Sequence, residues 1–327
     1  MECVLAKGLT KTYRSRVKNP GLAASFRALA KPEYREVQAV RGIDFTVHAG
    51  ERLAFIGPNG AGKSTTIKMM TGILTPTSGA ITVLGMDPMR ERKNLSRRIG
   101  TVFGQKSQLW FHLPPADSFE LLGAIYDIER DTLKSRTQNL VEAFALGEFF
   151  RTPVRKLSLG QRIRCEVAAS LLHEPEILFL DEPTIGLDVV VKQELRARIL
   201  EMNRSRGTTI FLTSHDAGDI ENICQRAIII DAGGIVLDEP VDELRTRHIS
   251  KKRVTVRYQA EVDIDPPAWA DVLEQTKSSA IFLVDTNMVS IDEALRGVVA
   301  LGPVSDITVE DPSMEKIIAS IFKGDRS

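Results

Sequence analysis

With 327 residues the chain has room for one large domain and a smaller companion. Its 43 Lys and Arg balance 43 Asp and Glu, which excludes a dominant electrostatic pull toward nucleic acid or anionic lipid. Cys3, Cys165 and Cys224 form no C-x-x-C pair, so neither a disulfide framework nor a zinc site is indicated, and a reduced, cytosolic setting follows.

The amino terminus lacks a long apolar leader, and no apolar run nears the roughly 18 residues of a membrane span, so the chain is not expected to cross a membrane by itself. Residues 21–31 carry the pattern of a short, basic amphipathic helix. Residues 43–56 read as two strands around an Ala49-Gly50 turn, the second running into a glycine-rich loop with a helix beginning near Lys63. From that helix to residue 157, helical patterns at 118–128 and 132–144 dominate and no strand stands out, marking an inserted helical subdomain over about 105–170. A helix is expected over 160–172. The apolar run 177–180 and the β-branched stretch 208–213 read as strands separated by a helix over 188–204, an alternation that predicts a mostly parallel sheet. A strand over 227–231 turns at Gly233-Gly234 into 235–237 and closes an α/β domain spanning 1–240.

Beyond Pro240 residues 253–259 alternate as a half-buried strand does. A helix over 267–276, a strand over 280–285, a helix over 291–300, a strand over 304–309 and a terminal helix over 312–323 complete a small α+β domain, 241–327. No internal repeat or low-complexity segment interrupts the chain.

Gly57-Pro58-Asn59-Gly60-Ala61-Gly62-Lys63-Ser64 fits the pattern G-x-x-x-x-G-K-[ST]. Glycines let backbone N–H groups approach phosphates, and the helix that follows adds unpaired donors and a favourable dipole. Lys63 is expected to reach the β- and γ-phosphates, Ser64 to ligate Mg²⁺ and Thr65 to add a phosphate contact. The strand over 177–180 ends in Asp181 and Glu182, where ligands sit in open α/β sheets. Asp181 is the candidate to hold Mg²⁺, and Glu182 to act as general base on the attacking water. In Leu157-Ser158-Leu159-Gly160-Gln161, Ser158 is a good N-cap for the following helix, whose positive end faces outward.

These three motifs, in this order, resemble those of the ATP-binding subunit of an ABC transporter. The resemblance implies a P-loop NTPase core with an inserted helical subdomain, ATP and Mg²⁺ as ligands, and hydrolysis of ATP to ADP and phosphate. It assigns Gln105 to Mg²⁺ and the water, His215 to the γ-phosphate, and Asp188 to a loop that communicates across a dimer. Ser158, Gly160 and Gln161 would contact a nucleotide held by the opposite subunit, so one chain cannot complete a site. Leu159 departs from the family's usual glycine. Adenine would stack on Tyr13 or Tyr34: spacing back from the P-loop favours Tyr34, and the phrase Leu-Thr-Lys-Thr-Tyr favours Tyr13. Between them, 14–33 interrupts the usual connection as inserts do in polysaccharide exporters, placing the 21–31 helix either near a membrane partner or in solvent. Trp110 and Phe111 would serve either as a docking wall for a permease or as core of the helical subdomain. The ending Val309-Glu310-Asp311-Pro312-Ser313-Met314-Glu315-Lys316 resembles that of sodium, drug and polysaccharide efflux ATPases. The implied partners are a second copy or close homologue and a separate membrane permease, at the cytoplasmic face of the membrane, with no nucleic acid. Soluble ABC ATPases of DNA repair, translation or iron–sulfur assembly form the alternative class.

Overall fold

The computed structural model describes residues 1–16, 34–104, 107–247, 251–262 and 269–323. Gln105 and the helix expected over 21–31 lie outside these residues. The chain divides into two compact units, Met1–Glu239 and Pro240–Ser327.

In the first unit β1 (Glu2–Arg16) and β2 (Tyr34–His48) form a long antiparallel arm whose register runs from Glu2↔His48 to Arg16↔Tyr34. Residues 14–16, assigned above to an insertion, are therefore strand. β3 (Arg52–Ile56) leads through the glycine-rich loop into α1 (Lys63–Met70). Two further strands follow where none was expected, β4 (Ser78–Val83) and β5 (Ile99–Phe103), separated by the short α2 (Arg92–Ser96). Glycines hid both, because Gly79 and Gly100 break the β-branched texture that marks a strand. Gly100 is nonetheless required, since a Cβ there would meet the Ser170 carbonyl at 2.6 Å.

The helical subdomain comprises α3 (Pro115–Ile125), α4 (Arg130–Ala143) and α5 (Leu159–Ser170). Its core contains Phe119, Leu140, Phe144, Leu146 and Phe149, with Phe119 and Phe150 edge to face at 5.1 Å. Trp110 and Phe111 are exposed, which removes them from that core. The sheet resumes with β6 (Ile177–Asp181), α6 (Val189–Arg206), β7 (Thr209–Thr213), α7 (Ala217–Ile223), β8 (Arg226–Asp231) and β9 (Gly234–Pro240). The hairpin turn falls at Ala232-Gly233, one residue earlier than expected, with positive φ at both residues.

Strand order is β5-β6-β7-β3-β8-β9 in one sheet and β2-β1-β4 in the other. The strands β5, β6, β7, β3 and β8 are mutually parallel along that order. Every residue of β7, and all of β6 but Asp181, is buried, so both read as continuous apolar runs rather than alternating ones. Phe45, Phe55, Phe179 and Phe211 form one aromatic cluster, with centroids 5.4–6.4 Å apart, that joins the antiparallel sheet to the parallel one.

The second unit opens with α8 (Val241–Arg247) and contains a sheet of order β11-β12-β10-β13, formed by β10 (Lys251–Tyr258), β11 (Ala270–Gln275), β12 (Ser279–Asp285) and β13 (Val304–Glu310). Its remaining helices are α9 (Ile291–Ala300) and α10 (Met314–Lys323). The helix expected over 267–276 is instead β11, paired antiparallel with β12. A register shift between Val272 and Glu274 breaks its alternation, which is why the stretch does not show a period of two.

Candidate functional site

The loop 57–62 is built for close approach. A Cβ on Gly57 would fall 2.2 Å from the Ile230 carbonyl, and one on Gly62, at φ 111°, would fall 2.5 Å from that of Ala39. Gly60 also takes a positive φ, so the turn needs all three glycines as glycine. Gly62 caps α1 without a side-chain hydrogen bond, leaving first-turn N–H groups to a ligand. Asn59 and Ala61 complete the turn, and Ser64 and Thr65 stand half-buried on the first turn of α1.

Lys63 is buried, and Nζ donates to the carbonyls of Gly57 at 2.5 Å and Pro58 at 3.3 Å. Burial pulls its pKa below the ordinary lysine value, against an upward pull from Glu182 and Asp181. Asp181 stands at the end of β6, where Oδ1 accepts from Thr213 Oγ1 at 2.5 Å and from Ser64 Oγ at 3.3 Å. Glu182 adopts φ 55°, a left-handed conformation rare outside glycine, and its N–H donates to the Thr213 carbonyl at 2.9 Å. That twist turns its carboxylate toward His215, with Oε1 2.9 Å from Nε2. The same nitrogen lies 3.1 Å from Asn59 Oδ1 and 3.2 Å from Lys63 Nζ. Nε2 therefore faces two acceptor oxygens and one ammonium donor.

Lys63, Ser64, Asp181, Glu182, His215 and Asn59 thus converge. An open cleft of about 440 Å³ beside them is lined by Asn59, Ser64, Phe103, Gly104, Asp181 and Glu182, among others. Gly104 is a residue the sequence did not single out. Its N–H donates to the Asp181 carbonyl at 2.9 Å, and a Cβ on it would meet the Glu182 carbonyl at 2.4 Å. Thr213 was missed as well, although its place at the end of a strand adjacent to β6 was a usable signal. A second cavity of about 380 Å³, lined by Cys3, Glu174, Arg206 and Thr209 among others, lies at the opposite end of the parallel strands and has no phosphate-binding loop.

Ser158, Gly160 and Gln161 do not line the cleft. Ser158 and Gln161 form a capping box at the start of α5: Gln161 N–H donates to Ser158 Oγ at 3.2 Å, and Ser158 N–H to Gln161 Oε1 at 3.0 Å. A Cβ on Gly160 would touch the Val191 side chain at 3.2 Å, and Leu159 lies against Gly186. Asp188 caps α6 by accepting from Val191 N–H at 3.0 Å. On α5 the buried Glu166 accepts from Ser107 Oγ and from Gln108 N–H at 2.9 Å. Burial raises its pKa, against those hydrogen bonds.

Tyr13 and Tyr34 are both exposed on the β1–β2 arm. Tyr13 pairs with Val37, two residues from the Ala39 carbonyl that abuts Gly62. Tyr34 lies five residues from Ala39, about 16 Å along an extended strand, and the Arg14 guanidinium covers its ring at 4.1 Å.

Residues 40–185 match the family model described as ABC transporter. The chain is 32% identical over 305 residues to the daunorubicin resistance ATP-binding protein DrrA3 of Streptomyces coeruleorubidus, covering 91% of this chain and 95% of that protein. It is 31% identical over 208 residues to the ABC transporter ATP-binding protein NatA of Bacillus subtilis, covering 64% of this chain and 84% of NatA. Among solved structures, cbiO1 of Clostridium perfringens, part of the ABC transporter complex cbiONQ, superposes with a TM-score of 0.60 at 25% identity, covering 74% of this chain and 90% of cbiO1.

Proposed function

The chain belongs to the ABC transporter ATP-binding proteins, and from that premise we propose that it hydrolyses Mg·ATP at two composite sites between paired cassettes, driving export through a separate permease. The observation that carries this reading is a division of parts. Asn59, Ser64 and the acid pair line one cleft, with His215 against Glu182, Asn59 and Lys63 beside it, while Ser158, Leu159, Gly160 and Gln161 of the signature lie outside that lining. A nucleotide bound at Lys63 is therefore completed by the signature of another copy.

In this reading Lys63 and the N–H groups of 60–65 bind the phosphates, Glu182 is the general base, and His215 contacts the γ-phosphate. Asp188 acts near the junction of the two copies, from its place at the head of α6. Ser64 Oγ and Asp181 Oδ1 are hard oxygen donors that suit Mg²⁺, which keeps waters and substrate phosphates in its shell. That ion would neutralise phosphate charge. Gln105 keeps its role as a proposal.

Tyr13 is the better adenine platform on register, and the Lys11 ammonium over its ring, at 5.6 Å, stands farther off than the Arg14 guanidinium over Tyr34, at 4.1 Å. Tyr13→Ala should weaken a fluorescent ATP analogue about tenfold, the loss of one base-stacking contact, and Tyr34→Ala should leave the titration curve in place. A loss confined to Tyr34→Ala would reverse the choice.

No helix among the described residues is long and apolar enough to cross a membrane. Attachment at the cytoplasmic face through a permease accounts for the exposed Trp110-Phe111 wall as a docking surface. Export as the direction fits the drug resistance for which DrrA3 is named. Likeness to DrrA3 covers 91% of this chain and so reaches past residue 240 into the second unit.

A mixing experiment tests the composite site. Lys63→Ala and Ser158→Arg chains should each be inactive alone. Combined, they should recover about a quarter of parental turnover, because half the dimers are mixed and each mixed dimer holds one intact site. No recovery on mixing would place the signature in the same chain's site.

A further inference from the structure

Asp219, in the first turn of α7, has no solvent exposure and no role in the chemistry above. Its carboxylate is held by donors from three separate stretches of chain. Oδ2 accepts from Thr184 Oγ1 at 2.5 Å and from Ser214 Oγ at 2.6 Å, and Oδ1 accepts from Arg196 Nε at 2.7 Å. Thr184 and Ser214 are themselves buried.

Two of the three donors sit beside a residue of the proposed hydrolytic centre, and the third stands on a neighbouring helix. Thr184 follows Glu182 by two residues, Ser214 immediately precedes His215, and Arg196 stands on α6, which Asp188 caps. The grip on His215 is two-sided: Ser214 Oγ also accepts from Asp216 N–H at 3.0 Å, and Asp216 takes Arg196 Nη2 at 2.8 Å and Lys192 Nζ at 2.5 Å. Gly218 leaves room for this arrangement, since a Cβ there would meet the Arg196 guanidinium at 2.8–3.0 Å.

The backbone at Glu182 gives the network a task. A non-glycine residue at φ 55° persists only where its surroundings over-determine it. On its amino side the restraint is the pairing of Glu182 N–H with the Thr213 carbonyl. On its carboxyl side it is Thr184, and Thr184 is fastened to Asp219. A buried, fully hydrogen-bonded ion pair contributes little net stability but fixes geometry tightly.

We propose that Asp219 is a positioning residue for hydrolysis, clamping Thr184 and Ser214 so that Glu182 and His215 keep their 2.9 Å relation; this rests on the reading of Glu182 and His215 given above. Asp219 touches no nucleotide atom. Its loss acts on turnover and spares binding.

The test compares Asp219→Asn, Thr184→Val and Thr184→Ser for ATP affinity and for kcat. Asp219→Asn and Thr184→Val should lower kcat roughly 10- to 100-fold, the effect of a small misplacement of catalytic groups, with ATP affinity within about twofold of the parent. Thr184→Ser restores the hydroxyl and should recover most of the rate. Should Asp219→Asn fail to fold, the Thr184 pair decides. Parental kcat in Thr184→Val, or affinity and rate falling in proportion, overturns the proposal. Glu182→Gln serves as the control: if it turns over like the parent, the general-base reading fails, whereas an inert Glu182→Gln beside a fully active Thr184→Val sinks the Asp219 clamp alone.

Discussion

Glu182→Gln will bind ATP, accumulate as an ATP-held dimer and hydrolyse roughly 10²- to 10⁴-fold more slowly, the usual contribution of a positioned general base. Glutamine has the shape of glutamate and still offers an oxygen to His215 Nε2, so the 2.9 Å contact and the left-handed backbone survive. What disappears is basicity. Lys63, Ser64 and Ser158 are untouched, so the phosphates keep their partners. Removing one negative charge from beside the γ-phosphate also relieves repulsion, so the affinity for ATP should rise rather than fall. Phosphate release in the steady state measures the rate, and gel filtration with and without ATP measures the dimer. Parental turnover would remove Glu182 from the chemistry.

Phe211→Ala should destabilise the nucleotide-binding unit by about 3–5 kcal/mol, the range for truncating a buried phenylalanine, out of a total stability on the order of 5–15 kcal/mol. Phe211 has no exposure and lies 5.4 Å from Phe55, 5.6 Å from Phe179 and 6.4 Å from Phe45, so one truncation opens three aromatic contacts at once. Its strand, β7, ends in Thr213, which holds Asp181 through its hydroxyl and Glu182 through its carbonyl. A weakened β7 therefore reaches the cleft. Bound ATP favours the folded state by mass action, so added nucleotide should recover part of the loss. Chemical denaturation reads the shift as a lower midpoint at unchanged slope. A change under about 1 kcal/mol would mean that the cluster repacks around the gap, as well-packed cores rarely do.

The parts of this protein legible in its sequence are those whose cause is contiguous. Gly57 to Ser64 spell out one loop, β6 is a single apolar run, and α9 announces itself by Ser290 and Glu293, which form a capping box. What escaped depends on partners distant in the chain. Gly104 is an unremarkable glycine until β5 lies beside β6, and Asp219 is one acidic residue among many until Thr184 and Ser214, 35 and 5 residues away, turn toward it. β11 escaped because a bulge erases the alternation that marks a strand. How far Tyr13 and Tyr34 each lie from the P-loop depends on the pairing of β1 with β2, which spacing along the chain does not encode.

The capping box at Ser158 has a consequence for how copies recognise each other. One lone pair of the hydroxyl is taken by the Gln161 N–H. The proton and a second lone pair remain to face outward, and toward an anion it is the proton that counts. A surface whose principal gift is a proton responds to the number of terminal oxygens presented to it: a nucleotide with a third phosphate accepts, and one cut back by a single phosphate leaves the proton to water. On the proposed arrangement, pairing of two copies is a measurement of phosphate-chain length, made without breaking any hydrogen bond the lone subunit already has.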